Sequence, residues 1–444
     1  MRFSELDGAT VGVWGAGREI GSFATQLQSH LPSARIAVAV DDAGIDLAAA
    51  PELASYEPRC VGAGDAVEAL TGCDLLVRSP GVSIYRDELT ALRGRGTPVV
   101  TATGLWMAEH GGENVIGITG TKGKSTTAAL AAHLSRAAGC ATHIAGNIGV
   151  PALDLLGVPD DELVVVELSS YQIADLANGP EIAVLTNLYP EHVHWHGTHD
   201  VYYADKLRLF ELPGVRACAL NGRDSHALSA FHAPAATLYG IPDGWDVSPD
   251  GLARDGQLAV PAADLPLRGK HNALNLCAAL TALELAGVDL PELPAALGGF
   301  VPLPHRLEPV VDSGDVVWVD DSISTTPEST LAAMESFRDR QIVLIAGGQD
   351  RGQQHEALAR ELAARDAAVL GLPITGSALV AAARSEGLSD ARAREVADMD
   401  AAVALARELA GPGSAVLLSP AAPSYNSYLS FEQRGDHFAA LARG

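Results

Sequence analysis

The segment GITGTKGKSTT, residues 117–127, couples an apolar run to an alanine-rich helical pattern through a glycine-rich turn. Glycines in such a turn let backbone N–H groups crowd a phosphate, and the helix N-terminus that follows adds positive potential. Lys124 is placed to neutralise the β/γ oxygens of a nucleoside triphosphate, and the Ser125 or Thr126 hydroxyl to hold magnesium. Gly120-x-x-Gly123-Lys124-Ser125 is a shortened form of the general pattern, which would put a glycine at Ile118. The bland alternative is a strand-to-helix turn that binds nothing. A second glycine turn, GAGREIG at residues 15–21, has the spacing G-x-G-x-x-x-G, one residue longer than the dinucleotide fingerprint. Asp41 follows about 20 residues on, where a ribose-binding acid would stand, so this turn alone suggests NAD. Glu167 closes the apolar run LVVVE and is either a metal carboxylate or a solvated strand-end acid. His192, His194, His196 and His199 crowd one short stretch, without the cysteine or H-E-x-x-H spacing that would support zinc.

The elements that must position these residues fall into three blocks. In the first, strand patterns at residues 11–14, 35–40, 73–81 and 98–104 alternate with helical ones such as SFATQLQSHL. The second begins near residue 110 and carries NVIGITG, the phosphate-type loop and its helix, then the buried runs LVVVELSS and IAVLTNL. The helical pattern GKHNALNLCAALTALELAG, ending at Gly287, follows before the third block, which starts near residue 301 and carries VVWVDDS, QIVLIAGG and SAVLLSP. Strands alternating with helices imply βαβ units on parallel sheets, so three consecutive α/β domains are expected. The 444 residues agree, at roughly 150 per domain.

Hydrophobic residues at 48% and charged ones at 19% can fill several cores. The formal net charge of −25 repels a phosphate backbone or an anionic lipid surface, so neither nucleic acid nor membrane is an expected partner. An anionic substrate must then meet a local cationic pocket or a metal ion. The five scattered cysteines suit a reducing compartment, and no apolar run approaches the ~18 residues of a membrane span. The opening MRFSELDGATVGVWG lacks the basic region and apolar core of a signal peptide, and a cytoplasmic protein is expected.

TGTKGKSTT resembles the ATP loop of the Mur ligases, the enzymes that build the peptide stem of bacterial peptidoglycan. Further family motifs follow in order: GNIG, ELSSYQ, TNLYPEHVHWHG, YYADKLRLF, HNALN, PHRLE, DDS and SPAAPSYNSYLSFEQRGDHF. Together they cover essentially the whole chain. The ending FEQRGDHF, with a single Rossmann-like first domain, resembles the branch that joins glutamate to UDP-N-acetylmuramoyl-L-alanine. The resemblance implies a Rossmann-like UDP-sugar-binding domain over 1–109, a central P-loop ATPase-type domain over 110–301 and a Rossmann-like amino-acid-binding domain over 302–444. It also implies the chemistry: ATP phosphorylates the alanyl carboxylate, the glutamate amine attacks, and phosphate leaves. Both steps concentrate negative charge, so positioning and electrostatic clamping should carry catalysis.

By the same resemblance, Lys124, Glu167, His192 and Lys206 are the catalytic set. Ser125, Glu167, His192 and a carbamate formed on Lys206 from carbon dioxide would hold magnesium. Gly120, Thr121, Lys122, Gly123, Lys124, Ser125 and Thr126 would bind ATP, with Asn272 and Asn275 on its adenine side, and Arg306 and Asp321 reaching over as a closing lid. Gly15, Ala16, Gly17, Arg18, Glu19, Ser79, Asn147 and His192 would meet the UDP-sugar substrate. His194 stands where the family usually has an acid.

For the incoming amino acid the resemblance implies Thr325, Arg351, Ser424, Tyr425 and Phe431. Here the chain departs from the common D-glutamate pattern. Arg351 replaces a lysine, DSISTTP puts Ile323 and Thr326 where the family has lysine and asparagine, and Pro423 replaces an alanine. Arginine for lysine turns a point charge into a planar fork, and Ile323 deletes a cation. The DSISTTP run resembles a variant that adds L-glutamate, leaving a separate epimerase to invert it in the product. L-Glutamate is therefore the expected substrate and D-glutamate the runner-up; a catalytically silent sensor of nucleotide or cell-wall precursors is the remoter alternative.

Overall fold

The structure is a computed structural model that describes residues 1–41, 51–191, 193–231, 236–312 and 314–444. Each block of the sequence forms a sheet of parallel strands, with one antiparallel edge strand in the third. The first sheet runs in the order Arg59–Gly62, Arg35–Asp41, Thr10–Trp14, Leu75–Arg78, Val99–Val100. Every pairing is parallel, in the 3-2-1-4-5 order of a doubly wound nucleotide-type fold. Helix Arg18–His30 starts directly behind the first glycine turn.

The second sheet has the order Thr237–Tyr239, Ala217–Asn221, Ile182–Leu185, Val115–Thr119, Leu163–Glu167, Thr142–Gly146, again all parallel. Its central strand, Val115–Thr119, is buried along its whole length, as a strand covered on both faces must be. Three short antiparallel strands, Trp245–Ser248, Gly251–Arg254 and Gln257–Pro261, form a separate sheet with no counterpart in the strand patterns read from sequence. The third large sheet spans Glu308–Asp312, Val316–Asp320, Ser414–Leu418, Gln341–Ala346, Ala368–Gly371 and Ala393–Glu395. Only its first strand is antiparallel.

The chain divides into two compact units, Met1–Leu265 with Ala273–Phe300, and Pro266–Asn272 with Val301–Gly444. Within the first unit a single apolar cluster crosses the expected 109/110 boundary. Phe23, Leu105, Trp106 and Met107 from the first block join Leu153, Ile173 and Leu176 from the second. Helix Ala102–His110 carries three of these, capped by Thr101 at its start and ended by Gly111 at φ +82°. The second unit buries one cluster on each face of its own sheet.

Candidate active site

The phosphate-type loop is held in shape from beneath. Helix Lys124–Ala137 starts at Lys124 itself, so Lys124, Ser125 and Thr126 form its first turn. Gly120 has φ +147°, and a Cβ there would collide with Thr186 Oγ1; Gly123 has φ +85°, and a Cβ would collide with Asn275 Oδ1. Thr186 Oγ1 donates to the Lys122 carbonyl at 2.6 Å, and Asn187 brackets Lys122, donating to its carbonyl at 2.9 Å and accepting from its N–H at 2.8 Å. Thr186 and Asn187 are the residues that sequence reasoning missed. Their signals were their place after a buried strand and at the head of the TNLYPEHVHWHG motif, neither of which assigned them a role, because what they hold is distant in the chain.

Two lysines converge on this loop. Lys124 Nζ folds back to the carbonyls of Gly120 and Thr121, each at 3.1 Å, and Lys206 Nζ reaches the same Gly120 carbonyl at 3.0 Å. Lys206 is 2% exposed, and its ammonium stands 5.0 Å from the centre of the Tyr202 ring. Burial, and then repulsion from Lys124, pushes its pKa well below the usual lysine value against the pull of Glu191 and Glu167. Lys122 pairs with Glu191 at 2.7 Å.

Glu167 ends its strand 3% exposed, and its Oε2 is buried without a hydrogen-bond partner among the described residues. The hydroxyl of Thr126 is orphaned in the same way. A buried carboxylate oxygen and a buried hydroxyl left open beside a phosphate-type loop are hard oxygen donors of the kind magnesium takes, so the residues present fit that ion. Ser125 is half-buried. His192 and the side chain of His194 lie outside the described residues. The one metal-type His/Asp/Glu cluster among the described residues lies elsewhere, at His305, Glu308 and Asp320. There His305 Nδ1 bonds Asp320 Oδ2 at 2.7 Å and Glu308 accepts from the His305 N–H at 2.9 Å, so hydrogen bonds already use its ligand atoms.

Within the same unit, the first glycine turn comes close to Ser79, which a Cβ on Gly15 or Gly17 would approach to 2.6 Å and 3.3 Å. Ala16 is buried between those two glycines. Arg18 donates to the Gly146 carbonyl at 2.9 Å, next to exposed Asn147, whose own N–H bonds the Glu167 carbonyl at 3.2 Å. Glu19 accepts from Gln172 at 2.6 Å, and burial raises its carboxyl pKa. The structure thus brings Gly15, Gly17, Arg18, Glu19, Ser79 and Asn147 to one side. The side chain of Asp41, the acid that suggested NAD, lies outside the described residues.

The remaining expected residues divide between the two units. Asn275, in the first, stands against Gly123. Asn272, in the second, donates to the Arg268 carbonyl at 2.7 Å. Asp321 is buried and accepts from Ser324, Ser419 and the Leu307 N–H; desolvation pushes its carboxyl up to about 6 against the pull of Arg306. Arg306 also adds to the burial that holds His271 down at about 4. The Arg351 guanidinium lies 5.8 Å from the Tyr425 ring centre, and Tyr425 is 60% exposed. Ser424 is buried, Thr325 half-buried, and the Phe431 carbonyl accepts from Ser322 at 2.8 Å. Thr326 has a local duty, accepting from the Ser329 N–H as N-cap of helix Pro327–Glu335.

Residues 118–283 match the Mur ligase middle domain, and residues 305–422 the glutamate ligase domain of Mur ligases. The chain is 42% identical to a UDP-N-acetylmuramoyl-L-alanine–L-glutamate ligase of a Micromonospora species, over 100% of this chain and 98% of that relative. It is 38% identical to the protein of the same name from Xanthomonas oryzae pv. oryzae, over 100% and 97%. Among solved structures, the UDP-N-acetylmuramate-alanine ligase of Thermotoga maritima matches with a TM-score of 0.58 at 16% identity, over 98% of this chain and 99% of that one, a likeness of fold. Mur ligases are ATP- and magnesium-dependent. With an ATP-type loop, two converging lysines and whole-length relatives at this identity, the chain belongs to the Mur ligase family.

Proposed function

We propose that this chain joins L-glutamate to UDP-N-acetylmuramoyl-L-alanine, consuming ATP and releasing ADP and phosphate in peptidoglycan precursor synthesis. The convergence of Lys124 and Lys206 on the Gly120 carbonyl carries the chemical part, because it brings a phosphate-neutralising ammonium and a buried amine suited to carbamate formation to the loop where a γ-phosphoryl must be transferred. The full-length likeness to proteins named as L-glutamate ligases supports the substrate. The alanyl carboxylate takes the γ-phosphoryl group, the glutamate amine then attacks the acyl phosphate, and phosphate leaves. Lys124 neutralises phosphate oxygens, the loop amides orient them, and Thr121, Lys122 and Thr126 line the same turn. Glu167, with Ser125 or Thr126 and His192, would hold magnesium, which when bound offsets the charge on the phosphate oxygens.

Lys206 is proposed to carry a carbamate. Its neutral amine attacks carbon dioxide, a C–N bond forms, and one proton leaves to water. A cation buried beside another lysine is thereby replaced by an anion that can accept. Its depressed pKa supports this step, since only the unprotonated amine is nucleophilic. Gly15, Ala16, Gly17, Arg18, Glu19, Ser79 and Asn147 are proposed to meet the UDP-sugar, and Asn272, Asn275, Arg306 and Asp321 the nucleotide. Thr325, Arg351, Ser424, Tyr425 and Phe431 are proposed for glutamate; the Arg351 fork beside Tyr425 offers a planar clamp to its side-chain carboxylate. The domain limits 1–109, 110–301 and 302–444, a cytoplasmic location and a functional link to an epimerase acting on the product belong to the same proposal. No helix among the described residues is long and apolar enough to cross a membrane.

The test offers purified protein, ATP, magnesium and UDP-N-acetylmuramoyl-L-alanine each glutamate enantiomer separately. Phosphate release with the L form is expected. Release with D-glutamate alone would replace the L assignment, and release with neither would remove the ligase assignment.

A further inference from the structure

Behind the two lysines lies a buried chain of polar side chains that the reaction as described does not use. Asp205, 7% exposed, takes a hydrogen bond from His196 Nδ1 at 2.6 Å and one from Tyr85 Oη, which stands 2.8 Å from both carboxylate oxygens. His196, 3% exposed, places its Nε2 2.9 Å from Ser170 Oγ, itself 2% exposed. The imidazole is also walled by rings, at 4.4 Å from Trp195, 5.3 Å from Tyr202 and 5.6 Å from Tyr171. Tyr202 Oη lies 2.9 Å from Thr121 Oγ1 in the phosphate-type loop.

The order Ser–His–Asp invites comparison with a nucleophilic triad, yet Ser170 is buried in the first turn of helix Ser170–Ile173 at 2% exposure. What the chain joins is more informative. Ser170 stands three residues beyond Glu167, just after its strand. Asp205 precedes Lys206 on helix His199–Leu207, and Tyr202 lies one turn earlier on the same helix. His196 therefore bonds across from the strand end that carries Glu167 to the helix that carries Lys206, and packs on the ring whose hydroxyl reaches the loop. Tyr85 ties the same carboxylate to the first sheet's side of the unit. Sealing this space alone would favour apolar side chains, because a buried ionic group is a poor source of net stability. A satisfied polar network instead fixes one arrangement of the elements it joins.

We propose that His196 and Asp205 are positioning residues for the reaction: through Ser170 and Tyr85 they lock helix His199–Leu207 against the end of strand Leu163–Glu167, and so set where Lys206 meets Glu167 and the loop. This inference rests on the proposed carbamate and magnesium roles of Lys206 and Glu167. Second-sphere partners of metal-binding groups are worth about 10–100-fold in affinity or activity when removed.

The test compares the full-length protein with Asp205→Asn, His196→Phe and the milder Tyr85→Phe, which removes one hydroxyl at a half-exposed position. The carbamate is read directly by carbon NMR in isotopically labelled bicarbonate, with Lys206→Arg as the signal-free reference. The magnesium concentration giving half-maximal phosphate release is measured alongside, with the KM for ATP. We expect Asp205→Asn and His196→Phe to lose most of the carbamate signal and to need about tenfold more magnesium, with KM for ATP within about twofold of the parent. Tyr85→Phe should move both readouts the same way by a smaller factor, and it decides the matter if the other two fail to fold. Variants that keep the parental signal and magnesium requirement would overturn the positioning role while leaving the carbamate intact. Absence of the signal in the parent protein would instead overturn the carbamate, and this inference with it.

Discussion

Lys206 shows how far one side chain's surroundings can depart from its usual solvated role. Nothing about a lysine on a short helix marks it as special, yet here it is enclosed, faces Lys124 and gives its ammonium to the Gly120 carbonyl beside the Tyr202 ring. Replacing it with alanine should lower phosphate release on the order of a hundredfold or more, with no recovery on adding bicarbonate. Activity that stays at the parental rate would remove Lys206 from the mechanism. Asp321 gives a second residue-scale expectation. Its folded pKa of about 6 stands above the ordinary 3.8, so folding takes up a proton. The stability it contributes is full below about pH 4 and is lost as pH rises toward 6, a difference on the order of 3 kcal/mol. Chemical denaturation across that range should show stability falling with pH, and Asp321→Asn should flatten that part of the slope. An unchanged slope in the variant would show that other groups produce it.

Among the elements, the turn before helix Lys124–Ala137 is the one whose backbone geometry is most constrained. Gly123 combines a left-handed φ of +85° with the close approach of Asn275, so Gly123→Ala meets both backbone strain and a steric clash. The variant should lose about 1–3 kcal/mol of stability and raise the KM for ATP, since the loop amides would no longer share one orientation. Thermal unfolding and initial-rate kinetics measure the two effects; an unaltered KM would mean the turn tolerates a shifted backbone. The strands flanking this turn were legible in the sequence because Val115–Thr119 and Leu163–Glu167 are unbroken apolar runs, which only burial on both faces explains. The antiparallel sheet at residues 245–261 was not, because its strands are short and mix exposed with buried positions.

For the molecule as a whole, two compact units with their own apolar clusters argue against a single cooperative unfolding event. Urea titration followed by fluorescence and by far-ultraviolet circular dichroism should give two separable transitions, with ATP and magnesium shifting at least the one that includes the loop. Coincident single transitions by both probes would show that the units unfold as one. Across the expected line at residue 109 the apolar packing is continuous. Trp106 and Leu105 read as the end of a first block, yet they pack with Leu153 and Ile173 in one cluster.

The sequence by itself determined the α/β class, the parallel strands, the phosphate-type loop and the order of the family's motifs. These are written in periodicity and local spacing, which neighbouring residues carry among themselves. Only the tertiary structure decided that Thr186 and Asn187 brace Lys122, that Lys206 is buried against Lys124, and that His196 joins Ser170 to Asp205. Such relations depend on distance in space, and a fold brings together residues that are far apart along the chain or turned to different faces of it.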